Sequence, residues 1–170
     1  MNTLELAPHK YLASIVELIT SQHESWPRPN VMACEWTFNI GWHPMTFLIL
    51  VHKGNLTHDL IKASGEFGVN IAANQQAALS NLAGGQSGRE VDKLTDDLFA
   101  KNLYAAKSIQ APLIRGCVLN AECHVQRTID FDEYTGFVGV AMEIEIHPQQ
   151  DLLLYTKGAY YHVGEKVQRS

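Results

Sequence analysis

Two short loops carry the residue types that could do chemistry: Lys53-Gly54-Asn55-Leu56-Thr57-His58, and residues 84–94 with Gly84, Gly85, Ser87, Gly88, Arg89, Glu90, Asp92 and Lys93. Each brings a glycine, a hydroxyl and a cation to the expected start of a helix. The first amides of a helix lack intrahelical partners and carry the positive end of its dipole, so they attract an anion. In the first loop the apolar run 48–51 reads as a buried strand, and Gly54 lets the chain turn close to a ligand. Asn55 or Thr57 then caps a helix that ends at Gly65. Lys53 and the Thr57 hydroxyl complete a phosphate cradle, although the same residues could serve only as a cap and a solvated turn. In the second loop Ser87 and Glu90 fit a capping box, with Val91, Leu94 and Leu98 on one helical face. The spacing is neither a Walker loop nor a dinucleotide fingerprint.

Composition limits what these loops can serve. A chain of 170 residues with 46% hydrophobic content suits one domain over residues 1–170, with the polar stretch 1–11 as an N-terminal arm. A net charge of -5 with scattered basic residues argues against nucleic acid and against an anionic membrane surface. Cys34, Cys117 and Cys123 cannot all pair with one another, and no signal-like or spanning segment opens the sequence, so a reducing cytoplasm is expected.

The elements that position the loops read mainly as strands. Residues 12–19 fit helix or strand and are taken as strand; residues 31–38 form the next, and 45–51 another, after the turn chemistry of Pro27 and Pro29. Residues 66–71 are a short strand, 75–83 and 89–102 helices with a break at Thr95, and 111–114 an extended linker. The clearest strands lie near the end. Cys117, Leu119, Ala121, Cys123 and Val125 alternate with polar residues, as do Val138, Val140, Met142, Ile144 and Ile146, which predicts one buried face on each strand. Residues 130–136 join them, 152–155 make a last strand, and 158–164 an aromatic, glycine-rich tail. Helices in the middle of an antiparallel chain point to a small barrel or sandwich.

The order of motifs narrows this further. Asn30-Val31-Met32-Ala33-Cys34-Glu35-Trp36-Thr37, the turn at 53–58, Gly65-Glu66-Phe67-Gly68-Val69-Asn70, Ser87-Gly88-Arg89-Glu90-Val91-Asp92-Lys93, Ala111-Pro112-Leu113-Ile114, Glu122-Cys123 and Gly158-Ala159-Tyr160-Tyr161 resemble the flavin reductase-like, flavoredoxin-type FMN-binding proteins. The resemblance implies a six-stranded antiparallel Greek-key split barrel with short helices at its rim, a homodimer, and FMN near the interface. Carried over by position, Lys53, Asn55 and Thr57 would meet the phosphate, with His58 nearby. Cys34, Glu35, Trp36 and Thr37 would line the flavin ring. Asn70 and Ser87-Gly88 would complete the pocket, Asp92 and Lys93 would support that loop, and Tyr160 or Tyr161 would close it.

A flavin brings its own redox chemistry, so the protein need only hold it, tune it and leave a face open. No catalytic side chain is demanded. Cys34 is a candidate thiol beside the ring, though cysteines in apolar strands more often pack. Alternation sends Cys117 and Cys123 inward and His124 outward, so no metal site is expected. Trp36 and Trp42 read as core or interface aromatics rather than stacking platforms. The expected activity is NAD(P)H-dependent flavin reduction. The alternatives are an electron carrier served by a redox partner protein and a cofactor-free interaction module.

Overall fold

Residues 8–166 are described by a computed structural model, and antiparallel pairing dominates them. The fold is mainly β with a few short helices, as expected, but its main sheet has seven strands rather than six. In chain order the elements are β1 (Ser14–Ile15), β2 (Glu17–Ser21), β3 (Asn30–Cys34), β4 (Thr37–Trp42), β5 (Met45–His52), α1 (Leu56–Ser64), β6 (Glu66–Ile71), α2 (Ala77–Gly85), α3 (Asp97–Ala100), β7 (Leu103–Tyr104), β8 (Leu113–Ile114), β9 (Leu119–Phe131), β10 (Tyr134–Ile146), β11 (Leu153–Thr156) and β12 (Ala159–His162). The main sheet runs β3-β2-β6-β9-β10-β5-β4, with a small sheet β1-β11-β12 and the pair β7-β8 beside it.

The seventh strand arises because the expected strand at 31–38 breaks at Glu35-Trp36. Its first half pairs with β2 at one edge, while its second half crosses to pair with β5 at the other. The ladder does not close. Across the gap, Leu50 donates its amide to the Trp36 carbonyl at 2.9 Å, and the Cys34 thiol points to the Leu50 carbonyl at 3.7 Å. The expected strand at 12–19 likewise divides at Val16, whose amide bonds Leu153 in the small sheet while its carbonyl accepts from Ala72.

Of the arm at 1–11, residues 1–7 lie outside the described residues, and Pro8–Tyr11 is a single 3-10 turn. Helix α1 follows the sequence reading closely, with Asn55 at its N-cap and Gly65 in the left-handed region at φ 74°. The expected helix at 89–102 does not form. Asp92 caps a 3-10 turn through the Leu94 amide at 3.1 Å, and Asp96 caps α3 through the Leu98 amide at 2.9 Å, so two caps split the segment into short pieces. The tail at 158–164 is also more ordered than its composition suggests, since Ala159–His162 pairs with β11.

The two long strands keep their pairing, and β9 keeps its expected inward face at Ala121 and Cys123, as β10 does at Val138, but beyond that point β10 departs from it. Bulges after Val138 and Ala141 shift the register of β10, so Phe137 and Ala141 reach the core while Met142, Ile144 and Ile146 are exposed. On β9 the polar positions Asn120 and Glu122 are buried as well, because the loop at 105–114 covers them. Glu122 accepts the Lys107 amide at 2.9 Å and the Ser108 hydroxyl at 2.8 Å. Burial alone would push this carboxyl up, but those bonds hold it below the usual carboxylate range.

Asn70, expected in the pocket, instead locks this part of the sheet. Its amide donates to the Leu18 carbonyl at 2.8 Å, and its oxygen accepts from Ile114 N at 2.9 Å and Asn120 Nδ2 at 2.7 Å. It is fully buried and has no free group for a ligand. Asn70→Ala strands those partners, and urea unfolding should show a loss of about 3 kcal/mol, given roughly 1–3 kcal/mol per buried group left unpaired.

Candidate functional site

The two glycine-bearing corners converge. Asn55, Leu56 and Thr57 from the start of α1 share one cavity of about 290 Å³ with Gly84, Gly85, Gln86, Ser87, Gly88 and Lys93, closed on the third side by Asn30, Met32 and Ala33 of β3. Asn30 holds the corners together. Its Nδ2 donates to Thr57 Oγ1 at 2.8 Å, and its side chain sits so close to Gly88 that a Cβ there would collide with it. Because Thr57 Oγ1 accepts that bond, its own proton remains available to a ligand.

Lys93 enters from beneath. Only 5% exposed, it donates to the carbonyls of Ala83 at 2.7 Å and Gln86 at 3.1 Å, at the carbonyl end of α2. Two of its three protons are thereby used, and burial lowers its ammonium to about 8. Its charge has no carboxylate partner among the described residues.

Several expected contacts fall elsewhere. Lys53 pairs with Asp130 at 2.6 Å and reaches the Asp132 carbonyl across the β9-β10 turn, rather than lining the cradle. His58 faces away from it, bonding Thr135 Oγ1 at 2.9 Å and packing against Phe137. Ser87 lines the cavity, but it starts a turn rather than a capping box, and its hydroxyl accepts the Arg89 amide at 3.2 Å. Asp92 stays outside, capping Leu94 and facing Arg28 at 3.6 Å, which in turn donates to the Gly88 carbonyl. Asn55 caps no amide and lines both this cavity and the next one.

From the cradle the concavity continues along β3. On one side Met32, Cys34, Glu35, Trp36, His52 and Tyr134 line a cavity of about 210 Å³, with the rings of Trp36 and Tyr134 in contact, tilted at 53° and 5.1 Å between centroids. On the other, Cys34 and Glu35 share a cavity of about 440 Å³ with Glu17, Ser80 and Tyr160. Tyr160, expected to close the site, donates to Ser80 Oγ at 3.0 Å. Tyr161 is 45% exposed. Thr37 turns its hydroxyl inward without a partner and lines neither cavity. Cys34 is buried, and burial pushes its thiol up to about 11, so it packs rather than reacts.

Asn30 and Glu17 escaped the sequence reading as site residues. Asn30 stood in the sequence as the first residue of the motif at 30–37. Glu17 had a visible signal, a lone charge inside the apolar run 12–19. No group of three or more His, Cys, Asp or Glu side chains suited to a metal occurs among the described residues.

The cavity shared by the two glycine corners thus opens into two further cavities along one strand, β3. The sequence matches the model of the flavin reductase like domain over residues 9–164, so the chain belongs to that family. It is 25% identical over 124 residues, 73% of its length, to the FMN reductase (NADH) RutF of Pseudomonas syringae. Matches to the curated relatives span 52% to 67% of those proteins' lengths. An NADH:FAD oxidoreductase of Streptomyces globisporus superposes with a TM-score of 0.85 at 20% identity, covering 96% of this chain and 95% of the other. A flavoredoxin of Methanosarcina acetivorans superposes at 0.79 with 25% identity, covering 93% and 89%.

The buried Glu17 gives a stability prediction. Burial pushes its carboxyl from 4.5 to about 9, so as pH rises the unfolded state gives up its proton first and stability falls across that window. Glu17→Gln removes the effect. Thermal melts should show the variant gaining on the natural protein from pH 5 to pH 8, by on the order of 1–3 kcal/mol at the upper end.

Proposed function

We propose that this chain is an FMN-dependent NAD(P)H:flavin oxidoreductase that works as one domain and as a homodimer, its curled sheet serving as a split barrel. The observation that carries the reading is the cradle shared by α1 and the Gly84–Gly88 corner, continuous with the cavities along β3. The donor set suits a phosphate. It combines the free amides at the start of α1, the unused Thr57 proton and a buried Lys93 whose charge lacks a partner among the described residues. Bound there, FMN would supply the two-electron redox chemistry that links a nicotinamide donor to free flavin or a partner protein.

The chain's own residues hold and shield. Asn55, Thr57, Ser87, Gly88 and Lys93 would take the phosphate, while Ala33, Cys34, Glu35 and Trp36 would lie along the ring. Held protonated by burial, the Cys34 thiol would pack against the ring rather than add to it. Likeness to a flavoredoxin favours a second reading, an electron carrier that reacts poorly with nicotinamide. No helix among the described residues is long and apolar enough to cross a membrane.

Purified protein mixed with FMN should quench the flavin's fluorescence and, with NADH and excess FMN, oxidise NADH in repeated turnovers. Uptake without turnover selects the carrier; a protein that takes up no FMN loses both readings. Thr57→Val and Lys93→Met should each weaken FMN about 10- to 100-fold, as expected for one charge-assisted hydrogen bond of roughly 1.5–3 kcal/mol. Lys53→Ala should leave it within about twofold, since that lysine is paired elsewhere.

The homodimer rests on uncovered apolar surface. Phe38 at 47%, Trp42 at 79%, Met142 at 54% and Ile146 at 60% are exposed, on β4 and on the part of β10 that runs past the end of β5. Sedimentation should give twice the chain mass of 19.0 kDa. Phe38→Glu with Trp42→Glu should give the monomer, and an unchanged dimer would move the interface off β4.

A further inference from the structure

Glu17 stands in the wall of the 440 Å³ cavity, beside Cys34, its register partner across β2 and β3. It is 2% exposed, and its Oε2 is covered by protein without any hydrogen-bond partner. A buried carboxyl is normally bonded, as Glu122 is here, because an unpaired one is costly. Among the described residues no lysine, arginine or histidine lines the cavity. The titratable groups around Glu17 are Cys34 and Glu35 from β3 and the turn after it, and Tyr155 and Tyr160 from the β11-β12 hairpin. Helix α2 contributes only Ser80, Asn81 and two glycines, and the β6 partner is Ile71. Tyr160 already spends its proton on Ser80 and Asn81.

We propose that Glu17 is a ligand-recognition residue, its carboxyl O–H donating to a carbonyl or ring-nitrogen acceptor on the edge of the flavin ring that lies along β3. The inference rests on the flavin reading of the site and goes beyond it by assigning the cavity on the Tyr160 side to the ring and naming its donor. Such a donor must be the neutral acid, and burial keeps it so, with its proton lost only near pH 9. A neutral donor satisfies its own orphaned oxygen on binding and adds no negative charge beside a ring that has to accept electrons. An ionised carboxylate there would have only acceptors to offer.

Fluorescence-quenching titrations of apoprotein with FMN between pH 6.5 and pH 10 test this, in the natural protein, Glu17→Gln and Glu17→Leu, with each fold checked by circular dichroism. Glutamine keeps a neutral donor of the same shape, so below pH 8 its affinity should match the natural protein within about threefold. Above pH 9 the natural protein should fall behind it, approaching tenfold per pH unit. Taking the ratio of the two cancels any contribution from Lys93. Glu17→Leu should bind FMN roughly three- to tenfold more weakly at pH 7. A constant ratio across pH, or a leucine variant that binds as well as the natural protein, overturns the assignment of Glu17 and leaves the flavin reading standing. Natural protein that binds no FMN at pH 7 overturns both.

Discussion

One side chain joins the two halves of the cradle. Asn30 donates to Thr57 in the first turn of α1 and presses its other face against Gly88, so the helix start and the glycine corner are held at a fixed spacing around a shared cavity. The contact depends on the absence of a Cβ at Gly88. It also orients Thr57, because an oxygen that accepts from Asn30 must aim its proton elsewhere. Arg28 strengthens the same joint from outside by reaching both the Gly88 carbonyl and Asp92. The cradle is therefore preorganised by groups that need not touch the anion, which lowers the entropy lost when a ligand is held.

Buried polar groups separate scaffold from site. Asn70 and Glu122 are as buried as any apolar residue of the sheet, and their hydrogen bonds go to named partners that pin β2, β6, β8, β9 and the loop at 105–114 together. Lys93 and Glu17 are equally buried but incompletely satisfied, one a cation on two carbonyls, the other a carboxyl with an orphaned oxygen. Both lie in cavity walls along β3. Folding tolerates such costs where a ligand is to supply the missing partner.

Much of this was legible in the chain. Gly65 after an amphipathic run marked the end of α1, and the ordered string of motifs from Asn30 to Tyr161 marked the family. The failures have one cause. Local patterns report on neighbours in sequence, whereas β10 obtains its buried face from bulges set by its pairing with β9, and Asp92 and Asp96 end a helix that periodicity alone would continue. Lys53 shows the same limit, since the carboxylate that claims it lies 77 positions away across a turn.

The sequence by itself determined the antiparallel, mainly β character, the two glycine corners and the hydroxyl and cationic residues near them, because those follow from backbone freedom, side-chain period and charge. Only the tertiary structure decided that Lys93 rather than Lys53 lines the cavity between the corners, that Asn70 is a lock, and that Glu17 stands beside Cys34 with an unpaired oxygen. Burial and hydrogen-bond partnership are properties of the assembled sheet, and no single stretch of chain carries them.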